Sequence, residues 1–211
     1  NGLLQTGINV TDVGVVPTPV QNFATDFFTA DGGVMITASH NPPEDNGFKI
    51  RADETLRGQV LQQIYRLAVA EDFVQGQGAI EEKDALPSYL ASLRRHVVPG
   101  RSLKIVVDGG NGANGPVVLD FLREQGHTVT ELFIEPDGTF PNRNPDPTKS
   151  GATDVLSDLV RAERADVGLA YDGDGDRLVV VDEQGNRVLG DQIMMILARN
   201  VLRDGPAKIV Y

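Results

Sequence analysis

Cysteine is missing from the 211 residues, so no disulfide framework stabilises the chain and a reducing cytoplasm is the expected compartment. Basic residues are scarce: 19 Lys and Arg face 30 Asp and Glu, a net charge of −11. That balance argues against a nucleic-acid partner, because phosphate backbones are gripped by Lys/Arg patches. No apolar run approaches the roughly 18 residues of a membrane span, so no membrane partner is expected. No secretory signal is visible, and the chain opens at Asn1 rather than at a methionine, which leads us to expect more sequence upstream. Hydrophobic residues make up 40% of the chain, enough for more than one compact core.

What is concentrated is aspartate. Asp172-Gly173-Asp174-Gly175-Asp176-Arg177 sits between two apolar runs, Asp166 to Tyr171 and Leu178 to Val181. Three carboxylates two residues apart repel one another, and a hard cation relieves that repulsion. The intervening glycines let the backbone curl until the three side chains face one point. An arginine beside such a site suggests an anion such as phosphate meeting the metal. Three other readings compete. An EF-hand loop counted from Asp172 would end correctly at Glu183, but its sixth position requires glycine and holds Arg177, and its flanks should be helices. A solvated hairpin turn would explain one Asp-Gly, not two followed by a third Asp. A strand-end aspartate could itself be a phosphoryl nucleophile, as in aspartyl phosphatases. That last alternative stays open until another nucleophile is found.

A second loop offers one. Gly33 to Thr37 reads as a buried strand running into Ala38-Ser39-His40-Asn41-Pro42-Pro43-Glu44-Asp45-Asn46-Gly47. Phe48-Lys49-Ile50 then reads as the returning strand of a hairpin, with Asn46-Gly47 as its turn signal. Ser39 is thereby displayed on a Pro-bounded loop beside His40, with Lys49 ten residues on. The residues alone equally allow a Pro-rich turn in which Ser39 and Asn41 only bond local backbone.

Repeated strand–loop–helix units mark an α/β fold with mixed sheets. Strands are expected at Ile8 to Val16, Gly33 to Thr37, Leu103 to Val107, Thr128 to Phe133, Asp166 to Ala170, Leu178 to Val181 and Lys208 to Tyr211. Helices are expected at Pro19 to Thr29, Leu56 to Val69, Leu86 to His96, Gly115 to Gln125, Thr153 to Glu163 and Asp191 to Leu202. Gln75-Gly-Gln-Gly78 reads as a loosening near a first domain boundary. The stretch Ile134 to Ser150 is long and irregular, which usually marks a functional loop or one packed between domains.

Taken together, Thr37 to Pro43 with Asn46-Gly47-Phe48-Lys49 resembles the phosphoserine loop of the α-D-phosphohexomutases, and Asp172 to Arg177 resembles that family's magnesium loop. Val16-Pro-Thr-Pro19, Val107-Asp108-Gly-Gly-Asn-Gly112 and Asn144-Pro-Asp-Pro147 agree, and the likeness is closest to the bacterial phosphomannomutase/phosphoglucomutase branch. The resemblance implies consecutive α/β domains: residues 1–84 as the latter part of a first domain, 85–187 as a second, and 188–211 as the start of a third, the chain being truncated at both ends. It implies that Ser39 carries the transferable phosphoryl group and that Asp172, Asp174 and Asp176 hold Mg2+, which also touches the phosphoryl oxygens on Ser39. His40 and Arg177 lie by the phosphoserine, Asn41 is a further phosphate-side contact, and Lys49 is the acid/base partner of a sugar hydroxyl. The implied reaction interconverts a hexose 1-phosphate and its 6-phosphate, of glucose or mannose, with hexose 1,6-bisphosphate as intermediate and activator. A cytoplasmic monomer is implied, and an acidic protein acting on anionic sugars needs its cations placed locally. The alternatives are a phosphoglucosamine mutase, an aspartyl-type phosphatase and a non-catalytic Mg2+- or sugar-phosphate-binding module.

One motif points elsewhere. Gly110-Asn-Gly112-Ala-Asn-Gly115 lies between an expected strand and helix, which matches the dinucleotide fingerprint, with Glu131 near the required distance. The resemblance assigns this loop a structural role instead, as a tight strand-to-helix turn.

Overall fold

A computed structural model describes residues 1–98, 100–206 and 208. The elements, in chain order, are α1 (Gly2–Gln5), β1 (Val10–Asp12), α2 (Thr18–Phe27), β2 (Gly33–Ile36), β3 (Phe48–Arg51), α3 (Gln59–Val69), β4 (Ile80–Glu82), α4 (Leu86–Arg94), β5 (Lys104–Asp108), α5 (Gly115–Glu124), β6 (Thr128–Leu132), α6 (Asp154–Glu163), β7 (Val167–Tyr171), β8 (Leu178–Asp182), β9 (Arg187–Val188) and α7 (Gly190–Val201), with a final 3-10 turn at Leu202–Asp204. They form two compact units. The first holds Asn1–Ser39 and Pro43–Val98; the second holds His40–Pro42 and the described residues beyond Val98.

In the first unit β2 and β3 form the expected antiparallel hairpin, with Met35 opposite Lys49 and Ile36 opposite Phe48. Its connection is closed by the Thr37 N–H donating to the Gly47 carbonyl at 2.9 Å. Helix α2 starts with proline in its first turn and buries Val20 and Ala24; it packs on β2 and α4, where Phe23 meets Tyr89 edge to face at 5.5 Å.

Beyond β2, whose Val34 and Ile36 are exposed where a buried strand was expected, three details differ from expectation. The strand foreseen over Ile8 to Val16 shortens to β1, because Asp12 Oδ1 accepts the Gly14 N–H at 2.8 Å and turns the chain. The helix foreseen from Leu56 begins only at Gln59, since the Leu56 N–H is committed to the Ile50 carbonyl and Gly58 adopts φ +58°. The Gly76–Gly78 stretch is closely packed. Gly78 donates to the Leu4 carbonyl, and a Cβ on Gly78 would lie 2.0 Å from the Ile8 oxygen. This close approach leads into β4, an exposed acidic strand paired in parallel with β1. The strand expected over Lys208 to Tyr211 falls, apart from Lys208, outside the described residues.

The second unit is built on a five-stranded mixed sheet of order β6-β5-β7-β8-β9. Strand β5 runs parallel to β6 and β7, while β8 and β9 return antiparallel. Its sequence, Lys-Ile-Val-Val-Asp, lacks polar alternation because both faces are covered. Ile105 and Val107 join Leu119 of α5 in one cluster. Val106 points the other way and joins Leu156 and Val160 of α6 with Val179 and Val181 of β8. Leu156 is fully buried. Leu156→Ala is expected to cost about 2–5 kcal/mol of stability, read as a lowered urea midpoint with an unchanged slope.

Candidate active site

The second unit's parallel strands end on the same side, and the acidic loop lies there, joining β7 to β8. Crevices outside the carboxyl ends of parallel strands are where open α/β sheets place their ligands. Asp172 and Asp174 are buried, at 0% and 2% exposure, while Asp176 is exposed. Carboxylate oxygens of all three lie within 4.8 Å of one another. The loop curls because the Gly175 N–H donates to the Asp172 carbonyl at 3.1 Å and Gly175 takes φ +72°. The Arg177 N–H donates to Asp172 Oδ1 at 3.0 Å. One buried oxygen, Asp174 Oδ1, accepts no hydrogen bond. Oxygen-only donors at this spacing suit a hard divalent cation such as Mg2+. The flanks are the strands β7 and β8, which sets aside the EF-hand alternative.

The serine loop follows β2. Ser39 adopts φ +56°, a left-handed conformation unusual for a residue with a Cβ and enriched at functional sites. Its N–H donates to Thr37 Oγ1 at 2.8 Å, and the residue is half-buried. Lys49 sits on β3, half-buried, and Asn41 is exposed. Ser39 and Lys49 therefore belong to the first unit, and His40 and Asn41 group with the second. There His40 Nε2 lies 3.3 Å from Arg177 Nη1, joining two residues 137 positions apart in sequence.

The irregular segment between β6 and α6 supplies two residues to which the sequence assigned no role. Asp146 is buried and accepts from the Thr148 N–H at 2.9 Å and the Thr148 hydroxyl at 2.6 Å. Burial pushes its carboxyl up, but these bonds, with the charges of His40 and Lys149, bring it below the ordinary carboxylate range. Arg143 donates from Nε to Asp108 Oδ2 at 2.7 Å, from Nη1 to the Asn144 carbonyl at 2.9 Å and from Nη2 to the Tyr171 carbonyl at 2.7 Å. The run of Pro and Asn around these residues signalled an ordered loop, but nothing in it named their partners.

The fold and loop geometry define an α/β protein with a three-carboxylate loop at the C-terminal ends of its parallel strands. Comparison with known proteins specifies the class further. The family description "Phosphoglucomutase/phosphomannomutase, alpha/beta/alpha domain I" matches residues 1–75, and "alpha/beta/alpha domain II" matches residues 87–185. A phosphomannomutase/phosphoglucomutase of Pseudomonas aeruginosa is 41% identical over 212 residues, spanning 100% of this chain and 46% of that protein. A phosphoglucomutase of Neisseria meningitidis serogroup B is 40% identical over 214 residues, with the same coverage. A crystal structure of a phosphoglucomutase/phosphomannomutase family protein from Burkholderia thailandensis superposes with a TM-score of 0.91 at 36% identity, covering 98% of this chain and 47% of that one. The chain thus belongs to the phosphoglucomutase/phosphomannomutase family of phosphohexomutases. It spans about half the length of the curated relatives it matches. Among the described residues, no helix is long and apolar enough to cross a membrane.

Proposed function

We propose that this chain forms the phosphoserine- and metal-bearing part of a hexose-phosphate mutase that interconverts the 1- and 6-phosphates of glucose or mannose in the cytoplasm, as a monomer. On this proposal residues 1–84 and 85–187 serve as two domains and 188–211 begin a third. The observation that carries it is Arg177 at 3.3 Å from His40, since it ties the acidic loop to the residue next to Ser39. An aspartyl phosphatase has no need of such a serine loop.

Ser39 Oγ is the phosphoryl carrier. In the forward half-reaction the bond from phosphorus to Ser39 Oγ breaks and a bond to the sugar's free hydroxyl oxygen forms. The proton of that hydroxyl passes to Lys49, and the departing Ser39 Oγ takes up a proton from water, so that the serine hydroxyl is restored. The product is a sugar 1,6-bisphosphate, which turns around and returns its other phosphoryl group to Ser39. His40 and Arg177 orient and neutralise the phosphoserine, and Asn41 adds a polar contact. Asp172, Asp174 and Asp176 would hold Mg2+, which when bound neutralises charge on the phosphoryl oxygens.

Because the chain spans about half of its relatives' length, we expect little turnover from it alone. A version extended to the relatives' length should convert glucose 1-phosphate to the 6-phosphate, and the 211-residue chain should reach at most about one hundredth of that rate. A coupled dehydrogenase assay on both proteins makes the comparison; equal rates would overturn the division of labour.

A further inference from the structure

We propose that Arg143, anchored by Asp108, is a positioning residue for the acidic loop, fixing the carbonyl from which that loop departs, and that Gly112 and Ala113 fix the loop's next carbonyl but one. This rests on the metal-binding role proposed above for Asp172, Asp174 and Asp176.

Arg143 and Asp108 are 5% and 1% exposed at their side chains. A buried ion pair is weak evidence for stability, because desolvation offsets the attraction and an apolar pair of similar volume often does as well. Burial indeed pushes the Asp108 carboxyl up, against the opposing pull of Arg143 and of the Gly110 N–H. The pair is better explained by where it directs its donors. Asp108, the last residue of β5, holds Nε, and Nη2 reaches across to the Tyr171 carbonyl at 2.7 Å. Tyr171 ends β7, and Asp172 is the next residue. With Nη1 on the Asn144 carbonyl, one planar guanidinium joins three chain segments. At 5% side-chain exposure it is poorly placed to meet substrate.

The glycine loop before α5 grips the acidic loop from a second side. The Ala113 N–H donates to the Gly173 carbonyl at 3.0 Å. A Cβ on Gly112 would lie 2.6 Å from that same oxygen, so only glycine permits the approach. A Cβ on Gly110 would meet Arg143 Nη2 at 2.3 Å. Two of the three glycines that imitate a dinucleotide fingerprint, Gly110 and Gly112, thus face Arg143 and the acidic loop itself, while Gly115 faces the Ile134 backbone. Carbonyls 171 and 173 flank Asp172, so the backbone that aims Asp172 is held at both ends and that of Asp174 on its N-terminal side. Three carboxylates brought this close repel one another before any cation arrives. Groups that hold them in place act as outer-shell supports do elsewhere, where their loss typically costs about 10–100-fold in metal affinity.

The test is a calorimetric titration of MgCl2 into the 211-residue chain, with a parallel electron paramagnetic resonance titration of MnCl2 whose linewidth reports ligand geometry. Arg143→Lys keeps a cation beside Asp108 but lacks the fork that spans to Tyr171. Gly112→Ala leaves the ion pair intact and pushes on Gly173. Both variants should weaken Mg2+ binding about 10–100-fold and broaden the bound-Mn2+ signal, whatever their melting temperatures in EDTA. If either variant folds and binds Mg2+ within twofold of the unaltered chain, with the same linewidth, the positioning role is wrong. If the unaltered chain shows no Mg2+ site, or Asp172→Asn binds as well as it does, the metal role fails and the inference falls with it.

Discussion

Ser39→Ala is expected to take up no phosphoryl group from glucose 1,6-bisphosphate, whereas the unaltered chain takes up one. In a version extended to the relatives' length the same change should lower mutase turnover by about 10^4-fold or more, because removing the covalent carrier removes the route and not merely a contact. Ser39 is half-buried and held at φ +56° with its N–H on Thr37, so alanine keeps the loop's hydrogen bond and deletes only the hydroxyl. A variant that loses stability as well as phosphate would point to the loop conformation and not to the oxygen.

The second large effect concerns the acidic loop and changes sign with metal. Asp176 is the exposed member of the triad, so Asp176→Asn disturbs packing least while removing one of three charges within 4.8 Å. In EDTA the variant should melt slightly higher than the unaltered chain, because like-charge repulsion is relieved. With Mg2+ the order should reverse. A cation that binds only the folded state at a hundredfold excess over its Kd stabilises by about 2.7 kcal/mol, several degrees in Tm. The unaltered chain should show that rise and the variant little of it. Differential scanning calorimetry with and without 10-fold steps of MgCl2 checks both signs; equal rises in the two proteins would remove Asp176 from the site.

The two loops were legible in the sequence because each is local. Asp172 to Asp176 place three carboxylates within five residues, and Ser39 to Gly47 fit between two recognisable strands. Central elements such as β5 and α6 were legible for the same reason, since the continuous apolar run of β5 and the apolar periodicity of α6 are read within the element. What the sequence hid depends on partners far along the chain. Strand β4, Ile80-Glu-Glu82, has no strand pattern and exists because β1 offers a parallel partner 70 residues away. Arg143 lies in an irregular run and is separated from Asp108 by 35 residues and from Tyr171 by 28. Its neighbours gave no periodicity that could point to either. The glycines of Gly110 to Gly115 carried a signal that the sequence could express but not assign, because what fills the space above them comes from Arg143, Gly173 and Ile134.

The central claim, that Ser39 and not an aspartate carries the phosphoryl group, is tested most directly by locating that group. The chain is incubated with glucose 1,6-bisphosphate and MgCl2, acidified, digested and mapped by tandem mass spectrometry. An acid-stable phosphoryl group on the peptide containing Ser39 is the predicted result. Phosphate on the peptide containing Asp172, lost in hydroxylamine as an acyl phosphate is, would contradict it.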